Sequence, residues 1–176
     1  MTAVSDISKT SAYQDKLMGL LGQRDPLKVL GETAAVLAQI VKGASADALK
    51  RRPYPGKWTP AEILGHLVDG EWLYGYRVRM IYSEHEPEIL SMDQEKWVTA
   101  QRYSDRDAAE LVEQFRHLRA INLQLWKRMS ADELKRCGRH NERGLESLGV
   151  MLKMNAGHDL SHIDQITRYI AAAKQA

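Results

Sequence analysis

Two histidines, His158 and His162, lie four residues apart near the C-terminal end of the sequence. On an α-helix, residues four apart stand one turn apart on one face, with Cβ atoms about 5–6 Å from each other. Two imidazoles at that spacing can reach a single metal ion. A solvated helix face can carry the same pair by chance, so the spacing alone leaves both interpretations open.

Helical periodicity places the pair at the border of an apolar face. At 100° per residue, one stripe of the helix is polar and an adjacent stripe is apolar. The polar stripe contains Met151, Asn155, His158, His162, Gln165 and Tyr169. On an earlier helix, His66 follows Ile63 by three residues and therefore faces inward as well. A facing pair on another helix favours a metal-ligand role for His66 over that of a hydrogen-bonded core histidine.

Three neutral imidazoles leave one position of a tetrahedral ion open, as in catalytic sites, whereas closed structural sites use four protein ligands. The only cysteine is Cys137, which we interpret as structural, so a thiolate-closed site is not expected. An ion in an open site can lower the pKa of bound water toward about 7 or hold a thiol deprotonated. Either property suits an enzyme that acts on a small molecule, by hydrolysing it or by transferring a thiol to it.

Two other metal chemistries fit the residues less well. A carboxylate di-iron site needs Glu-x-x-His on each of two helices, but Ile63 stands three residues before His66. The H-E-x-x-H motif of metallopeptidases matches His158 to His162 only with Asp159 in the place of the glutamate. That aspartate points away from the histidine stripe, where we expect it to cap a surface or orient a neighbour.

Metal-ligating histidines need partners that fix the ring tautomer. The candidates are Asp69, one turn from His66, and Asn155 and Gln165 on the histidine stripe, with an ordinary polar role slightly favoured for Asp69. Trp58 is expected to act as a hydrophobic staple at the entrance of its helix. The remaining histidines are expected at the surface: His85, His117 and His140.

The periodicity predicts an all-α chain, because alternating strand patterns are missing. Four long helices are predicted at about residues 25–42, 59–82, 104–129 and 145–173, after a shorter amphipathic helix at about residues 10–21. Thr59, Pro60 and Glu62 form a capping-box pattern that fixes one helix start. An acidic stretch from Ser83 to Tyr103 is long enough for a crossover or a lid, and with the loop from Arg136 to Gly144 it is expected to shape a pocket. These elements favour a four-helix bundle of the up-down type with a longer crossover.

Composition sets the remaining bounds. A chain of 176 residues fits one domain, 1–176, with a core at about 25–173 and an N-terminal extension at 1–24. A formal net charge of +2 gives no electrostatic reason to expect a nucleic-acid partner. No run approaches the roughly 20 apolar residues that span a bilayer, and Met1 to Ser11 lack the apolar stretch of a secretory signal. We therefore expect a cytoplasmic protein without a membrane partner.

The helix that carries His66 opens with a distinctive segment, Pro55-Gly56-Lys57-Trp58-Thr59-Pro60-Ala61-Glu62-Ile63-Leu64-Gly65-His66-Leu67. Together with the later His158 and His162, this segment resembles the DinB/YfiT-like family of metalloenzymes. The resemblance covers about residues 29–170. It implies a four-helix bundle that is usually a homodimer.

The resemblance also implies that His66, His158 and His162 hold one divalent ion, nickel or zinc. The family includes thiol-dependent transferases that use bacillithiol or mycothiol, which implies a low-molecular-weight thiol as a candidate cosubstrate. The leading hypothesis is a metal-dependent enzyme acting on a small molecule by thiol transfer or hydrolysis. The alternatives are a non-catalytic metal-binding or stress-related dimeric bundle and a plain interaction module with a metal-free site.

Overall fold

The computed structural model describes the backbone of residues 7–173 and the side chains of residues 12–173. The outermost residues of the predicted domain, 1–6 and 174–176, lie outside the described part, as do the side chains of 7–11. The expectation that Met1 to Ser11 contain no secretory signal falls largely on these residues.

Seven α-helices and three short strands form the described part of the chain. The helices are α1 (Ile7–Leu21), α2 (Pro26–Lys42), α3 (Ala46–Lys50), α4 (Pro60–Ser83), α5 (Gln94–Ala100), α6 (Ala108–Trp126) and α7 (Leu148–Ala173). The strands are β1 (Glu88–Ile89), β2 (Cys137–His140) and β3 (Gly144–Ser147). No helix of the described residues is both long enough and apolar enough to cross a membrane.

Side-chain caps determine where the long helices begin. Asp25 accepts a hydrogen bond from the backbone N–H of Leu27 at the start of α2. At α4, Thr59 and Glu62 exchange both bonds of the capping box, as predicted. Helix α6 begins at Ala108, four residues after the predicted residue 104, because Asp107 caps it through two backbone N–H groups, and the residues before it form a 3-10 turn.

The four long helices α2, α4, α6 and α7 form a bundle, as predicted. Extensive contacts join α2 to α6, α6 to α4, α4 to α7 and α7 to α2. Helices that follow one another along the chain, α2 and α4, therefore lie across the diagonal, and so do α6 and α7. This order differs from that of a simple up-and-down bundle, in which consecutive helices are neighbours. It depends on the long connections after α2, α4 and α6.

A small three-stranded sheet corrects the prediction that the chain has no strands. Strand β1 lies in the predicted crossover and pairs in parallel with β2, which pairs antiparallel with β3. Leu145 belongs to β3, so α7 begins at Leu148 rather than at the predicted Leu145. Gly138 lets β2 pass close to the crossover, since a Cβ there would lie 2.3 Å from Cδ1 of Ile89.

Helix α1 packs along α7 and belongs to the core. Leu17 and Leu21 are buried, although the predicted core began at about residue 25. The two helices approach so closely at Gly157 that a Cβ there would lie 2.1 Å from the carbonyl oxygen of Leu17. Glycine at this position therefore permits the packing of α1 against α7.

A fully buried polar cluster joins the four long helices. Its members are Thr33 of α2, Glu71 of α4, Arg119 and Asn122 of α6, and Asn155 and Asp159 of α7, which we call the central polar network. Arg119 donates to both carboxylate oxygens of Asp159, at 2.6 and 3.0 Å, and to Glu71 at 2.8 Å. On α6, Arg119 stands between Phe115 and Trp126, which belong to two separate hydrophobic clusters. The network therefore ties the bundle together where one part of the core meets the other.

Candidate metal centre

The three histidines that sequence analysis predicted as ligands converge in the structure. His66 comes from α4, and His158 and His162 come from successive turns of α7. The Nε2 atom of His158 lies 3.0 Å from Nε2 of His66 and 3.1 Å from Nε2 of His162. One ring nitrogen from each of the three histidines lies within 4.8 Å of the ring nitrogens from the other two. Among the described residues, this is the group of metal-ligating side chains that the fold brings together.

Burial keeps these imidazoles neutral. His66 is 3% exposed and His158 is 8% exposed. Burial lowers the pKa of His66 to about 3, with a further decrease from His162. Burial likewise lowers the pKa of His158 well below its usual value and that of His162 to about 4. A neutral imidazole carries the lone pair that a metal ion needs, so near neutral pH the cluster is ready to bind one.

A hydrogen-bond chain fixes the tautomer of His162. Its Nδ1–H donates to Oε1 of Gln165 at 2.9 Å, and Nε2 of Gln165 donates to the hydroxyl of Tyr169 at 3.1 Å. With the proton on Nδ1, the lone pair of Nε2 points into the cluster. Gln165 therefore orients the ring of a predicted ligand, and it is one of the candidates that sequence analysis named for this position. Nδ1 of His66 is buried and has no hydrogen-bond partner among the described residues.

The donor set, one ring nitrogen from each of three histidines, fits a divalent metal ion. Nitrogens bound at about 2.0–2.1 Å to a tetrahedral ion lie roughly 3.3 Å apart. The two Nε2 separations from His158, 3.0 and 3.1 Å, are close to that value. Without an ion, the Nε2 atom of His158 faces two other ring nitrogens at these distances, and the His162 tautomer directs a lone pair toward it.

An aromatic side chain forms one wall of the cluster. The ring of Trp58 lies 4.9 Å from the ring of His66, centroid to centroid, at an angle of 45°. Its Nε1–H donates to Glu95 of α5 at 3.0 Å. Trp58 also packs against the hydrophobic core, as the staple interpretation predicted. It therefore both anchors the start of α4 and limits water access to His66.

The other predicted orienting residues have different partners. Asp69 accepts hydrogen bonds from Tyr103 at 2.7 Å and from Gln101 at 2.8 Å, and thus holds the segment before α6. Asn155 donates to Glu71 within the central polar network. Among the described residues, neither side chain is hydrogen-bonded to a histidine of the cluster.

Asp159 caps no surface and instead holds neighbouring side chains, which is the second of the two roles expected for it. It is 1% exposed and is held by Arg119 and by the hydroxyl of Thr33 at 2.6 Å. Burial raises the pKa of Asp159, and the charge of Arg119 opposes that increase. The carboxylate is thus committed to the central polar network and is not available as the general base of a metallopeptidase.

The remaining histidines divide into two groups. His85 and His117 are exposed, as predicted. His140 is only 2% exposed, which corrects its predicted surface position. It lies on β2, and the sheet that buries it was not predicted. Cys137, on the same strand, donates to the carbonyl oxygen of Lys135 and takes no part in the histidine cluster.

Two cavities meet at His158. One, of about 350 Å³, is lined by His66 and His158 and extends along α4 to Arg77. The other, of about 300 Å³, is lined by His158, His162 and Trp58. The first cavity is also lined by Ser91, Met92 and Gln94 of the crossover and by Glu142 and Arg143 of the hairpin. The expectation that these two segments shape the pocket agrees with their positions.

Sequence analysis missed three polar residues of the first cavity: Tyr74, Arg77 and Arg143. Helix geometry places both Tyr74 and Arg77 within about 80° of His66 around α4, since they follow it by eight and eleven residues. Arg143 lies in the loop from Arg136 to Gly144 that was expected to shape the pocket, but no pattern in the sequence singled it out.

Comparison with known proteins now assigns the family. The model of the DinB superfamily matches residues 30–166, which is most of the sequence. The chain belongs to the DinB superfamily, and the DinB/YfiT-like resemblance is confirmed.

Two relatives agree with this assignment. The chain is 26% identical over 114 residues to a protein of Oceanobacillus iheyensis named "Putative metal-dependent hydrolase OB0782", and the alignment covers 64% of each protein, which is less than two thirds of that relative. The solved structure of YfiT from Bacillus subtilis is similar in fold, with a TM-score of 0.75 and 21% identity over 83% of this chain and 86% of that one. YfiT is described as "a probable metal-dependent hydrolase with an unusual four-helix bundle topology".

Proposed function

We propose that the protein is a metal-dependent hydrolase of a small molecule, with one divalent ion, zinc or nickel, held by His66, His158 and His162. The observation that carries this proposal is the convergence of three neutral imidazoles from two helices on one point, two of them buried and that of His162 half-buried. Three protein ligands leave a position for water or substrate, which is the arrangement of catalytic sites.

An ion in this position supplies Lewis acidity and lowers the pKa of coordinated water toward about 7. The chain supplies the rest of the site. Gln165 keeps the proton of His162 on Nδ1, so that Nε2 remains a ligand. Trp58 covers one side of His66 and limits the access of bulk water. The two cavities at His158 offer space for a substrate on both sides of the cluster.

Hydrolysis is favoured over thiol transfer by the names of the two relatives, both of which describe hydrolases. Transfer from a low-molecular-weight thiol is the second candidate, since the same open position can accept a thiolate. Both reactions need the three histidines, so they are distinguished by substrate rather than by ligand variants.

The test compares metal-free and reloaded protein without a histidine tag. Samples treated with chelator, and then reloaded with Zn²⁺ or Ni²⁺, are assayed on chromogenic ester and amide substrates and on a chlorodinitrobenzene electrophile with added thiol. We expect activity that disappears with the metal and returns with it, and that His158→Ala abolishes. His117→Ala, an exposed histidine of α6, is the matched control and should retain full activity.

A non-catalytic metal-binding bundle is the alternative. In that case chelation lowers the melting temperature strongly and no metal-dependent activity appears with any substrate. Activity that persists in the metal-free protein or in His158→Ala overturns the proposed function. Activity lost on chelation with an almost unchanged melting temperature excludes the purely structural role.

We further propose that the protein is a cytoplasmic homodimer, as the family resemblance implies. Two aromatic side chains one turn apart on α4, Trp72 and Tyr76, are 63% and 62% exposed and offer an apolar surface for a second copy. Light scattering of the protein in solution should give twice the mass of one chain, and Trp72→Glu should reduce it to that of a monomer. A monomeric mass for the wild type contradicts this part of the proposal.

A further inference from the structure

One face of α4 connects the histidine cluster to a buried arginine. His66, Gly70, Tyr74 and Arg77 all line the larger cavity, at helical spacings of four, four and three residues. At 1.5 Å per residue, His66 and Arg77 are about 16 Å apart along the helix axis. The path between them is open beside Gly70, because a Cβ added there would meet only Cε1 of His158, at the ordinary contact distance of 4.0 Å.

Arg77 is buried without a carboxylate at ion-pair distance among the described residues. It is 4% exposed. Its Nη2 donates to the carbonyl oxygen of Leu90 in the crossover, whereas its Nε has no hydrogen-bond partner. A guanidinium carries five N–H donors, so this contact leaves most of its capacity unused.

Arg143, on the opposite side of the same cavity, is already paired. Its Nε and Nη2 donate to the two carboxylate oxygens of Glu146 at 3.0 and 2.8 Å. Glu146 is 2% exposed, so this bidentate pair is a fixed part of the structure. The contrast makes Arg77 the cationic side chain of this cavity that can accept a new anionic partner.

The surroundings of Arg77 reinforce this conclusion. Burial lowers the pKa of Arg77, and the charge of Arg143 lowers it further, while Tyr74, Glu146 and Glu142 oppose the decrease. Glu142 also lines the cavity, so the cavity contains an acidic side chain as well as the two arginines. A buried charge without a close partner is costly, and a bound anion would remove part of that cost through charge-assisted hydrogen bonds.

We propose that Arg77 binds an anionic group, a carboxylate or a phosphate, of the small molecule whose reacting end lies at the three histidines. The position of the reacting end rests on the proposed function, whereas anion binding by Arg77 does not. The substrate class is then an elongated anionic molecule that lies along α4, with the anionic group at Arg77 as its specificity determinant.

A purely structural role for Arg77 is the competing explanation, in which it only fastens the crossover through Leu90. That role requires the guanidinium donors but no ligand. The two explanations differ in one measurable property, the affinity of the folded protein for anions.

The test is a calorimetric titration of zinc-loaded protein with glutarate, with inorganic phosphate and with neutral glutaramide. Wild type should bind at least one of the anions and not the amide. Arg77→Met should weaken that anion affinity about 10- to 100-fold, and Arg77→Lys, which keeps the charge but loses the fork, should weaken it less. Arg116→Met, an exposed arginine of α6, is the control and should leave the affinity unchanged.

A second variant tests the inference if Arg77→Met does not fold. Met92→Glu places a carboxylate in the wall of the same cavity and leaves Arg77 intact, so it should also weaken anion binding by repulsion. Equal anion affinity in wild type and the folded variants overturns the inference, as does equal binding of glutaramide. Metal content is measured on the same samples: absence of zinc contradicts the proposed function, and the titration then tests Arg77 in the metal-free protein.

Discussion

Nδ1 of His162 lies 2.9 Å from Oε1 of Gln165, the residue one helical turn further along α7. The amide of Gln165 is itself oriented by its bond to Tyr169. A predicted ligand and the residue that sets its tautomer therefore lie three positions apart on one helix, and Nε2 of His162 faces His158.

Replacement of Gln165 by leucine should weaken zinc binding without removing a ligand. Loss of the partner of a metal-ligating histidine typically lowers metal affinity about 10- to 100-fold. A competition titration against a coloured chelator measures this effect. Gln114→Leu, at an exposed position of α6, is the matched control. If the two variants bind zinc equally well, Gln165 does not orient His162.

Removal of Arg119 should destabilise the bundle strongly. Arg119→Met leaves the carboxylates of Glu71 and Asp159 buried without their cation, which typically costs about 3–5 kcal/mol. Arg116→Met breaks only an exposed pair with Glu113 and should lower the free energy of unfolding far less. Urea unfolding of both variants measures the difference. Similar losses would show that the central polar network contributes no more than a surface ion pair.

Gly157→Ala should separate α1 from α7. The added Cβ would lie 2.1 Å from the carbonyl oxygen of Leu17, so the helices must move apart, at a cost of about 1–3 kcal/mol. Gly31→Ala on α2 meets only Cδ2 of Leu123 at 3.7 Å and should stabilise the protein by roughly 0.5–1 kcal/mol. Thermal unfolding compares them. A Gly157→Ala protein as stable as Gly31→Ala would contradict the close packing of α1.

His140 should make stability depend on pH. Burial lowers its pKa to about 4, with further decreases from Arg143 and Arg77. The usual value is about 6.5, so between these two pKa values the unfolded chain binds more protons and stability decreases as pH falls. From pH 7.5 to pH 5, this group should contribute a loss of about 2 kcal/mol.

The variant His140→Asn keeps an acceptor for the backbone N–H of Glu142 and cannot titrate. Urea unfolding at the two pH values should therefore show a smaller loss in His140→Asn than in the wild type. His117→Asn, at an exposed site, should behave as the wild type does. An unchanged pH dependence in His140→Asn would mean that His140 already titrates normally in the folded protein.

Local sequence patterns were sufficient for the parts of the fold that local interactions determine. The capping box of Thr59 and Glu62 needs only residues of one helix turn, and it begins α4 where predicted. The two histidines of α7 share a face through helix geometry alone. His66 could be added because its inward position on α4 also follows from periodicity.

Long-range pairing explains what the sequence did not show. Strand β1 has two residues, and its partner β2 lies about fifty residues away, so neither carries a periodic pattern of its own. The burial of His140 depends on that sheet. Asn155 was placed on the histidine stripe, but its partner Glu71, which also binds Asn122, comes from another helix, and no spacing along one helix identifies it.

Metal content tests the central claim most directly. Untagged protein, stripped with chelator and titrated with zinc, should bind one ion per chain. We expect His66→Ala, His158→Ala and His162→Ala each to weaken binding more than about 100-fold through the loss of one of three ligands. His85→Ala and His117→Ala, at exposed positions, should bind zinc as the wild type does. Absence of stoichiometric zinc in the wild type, or undiminished binding in the three ligand variants, would contradict the account.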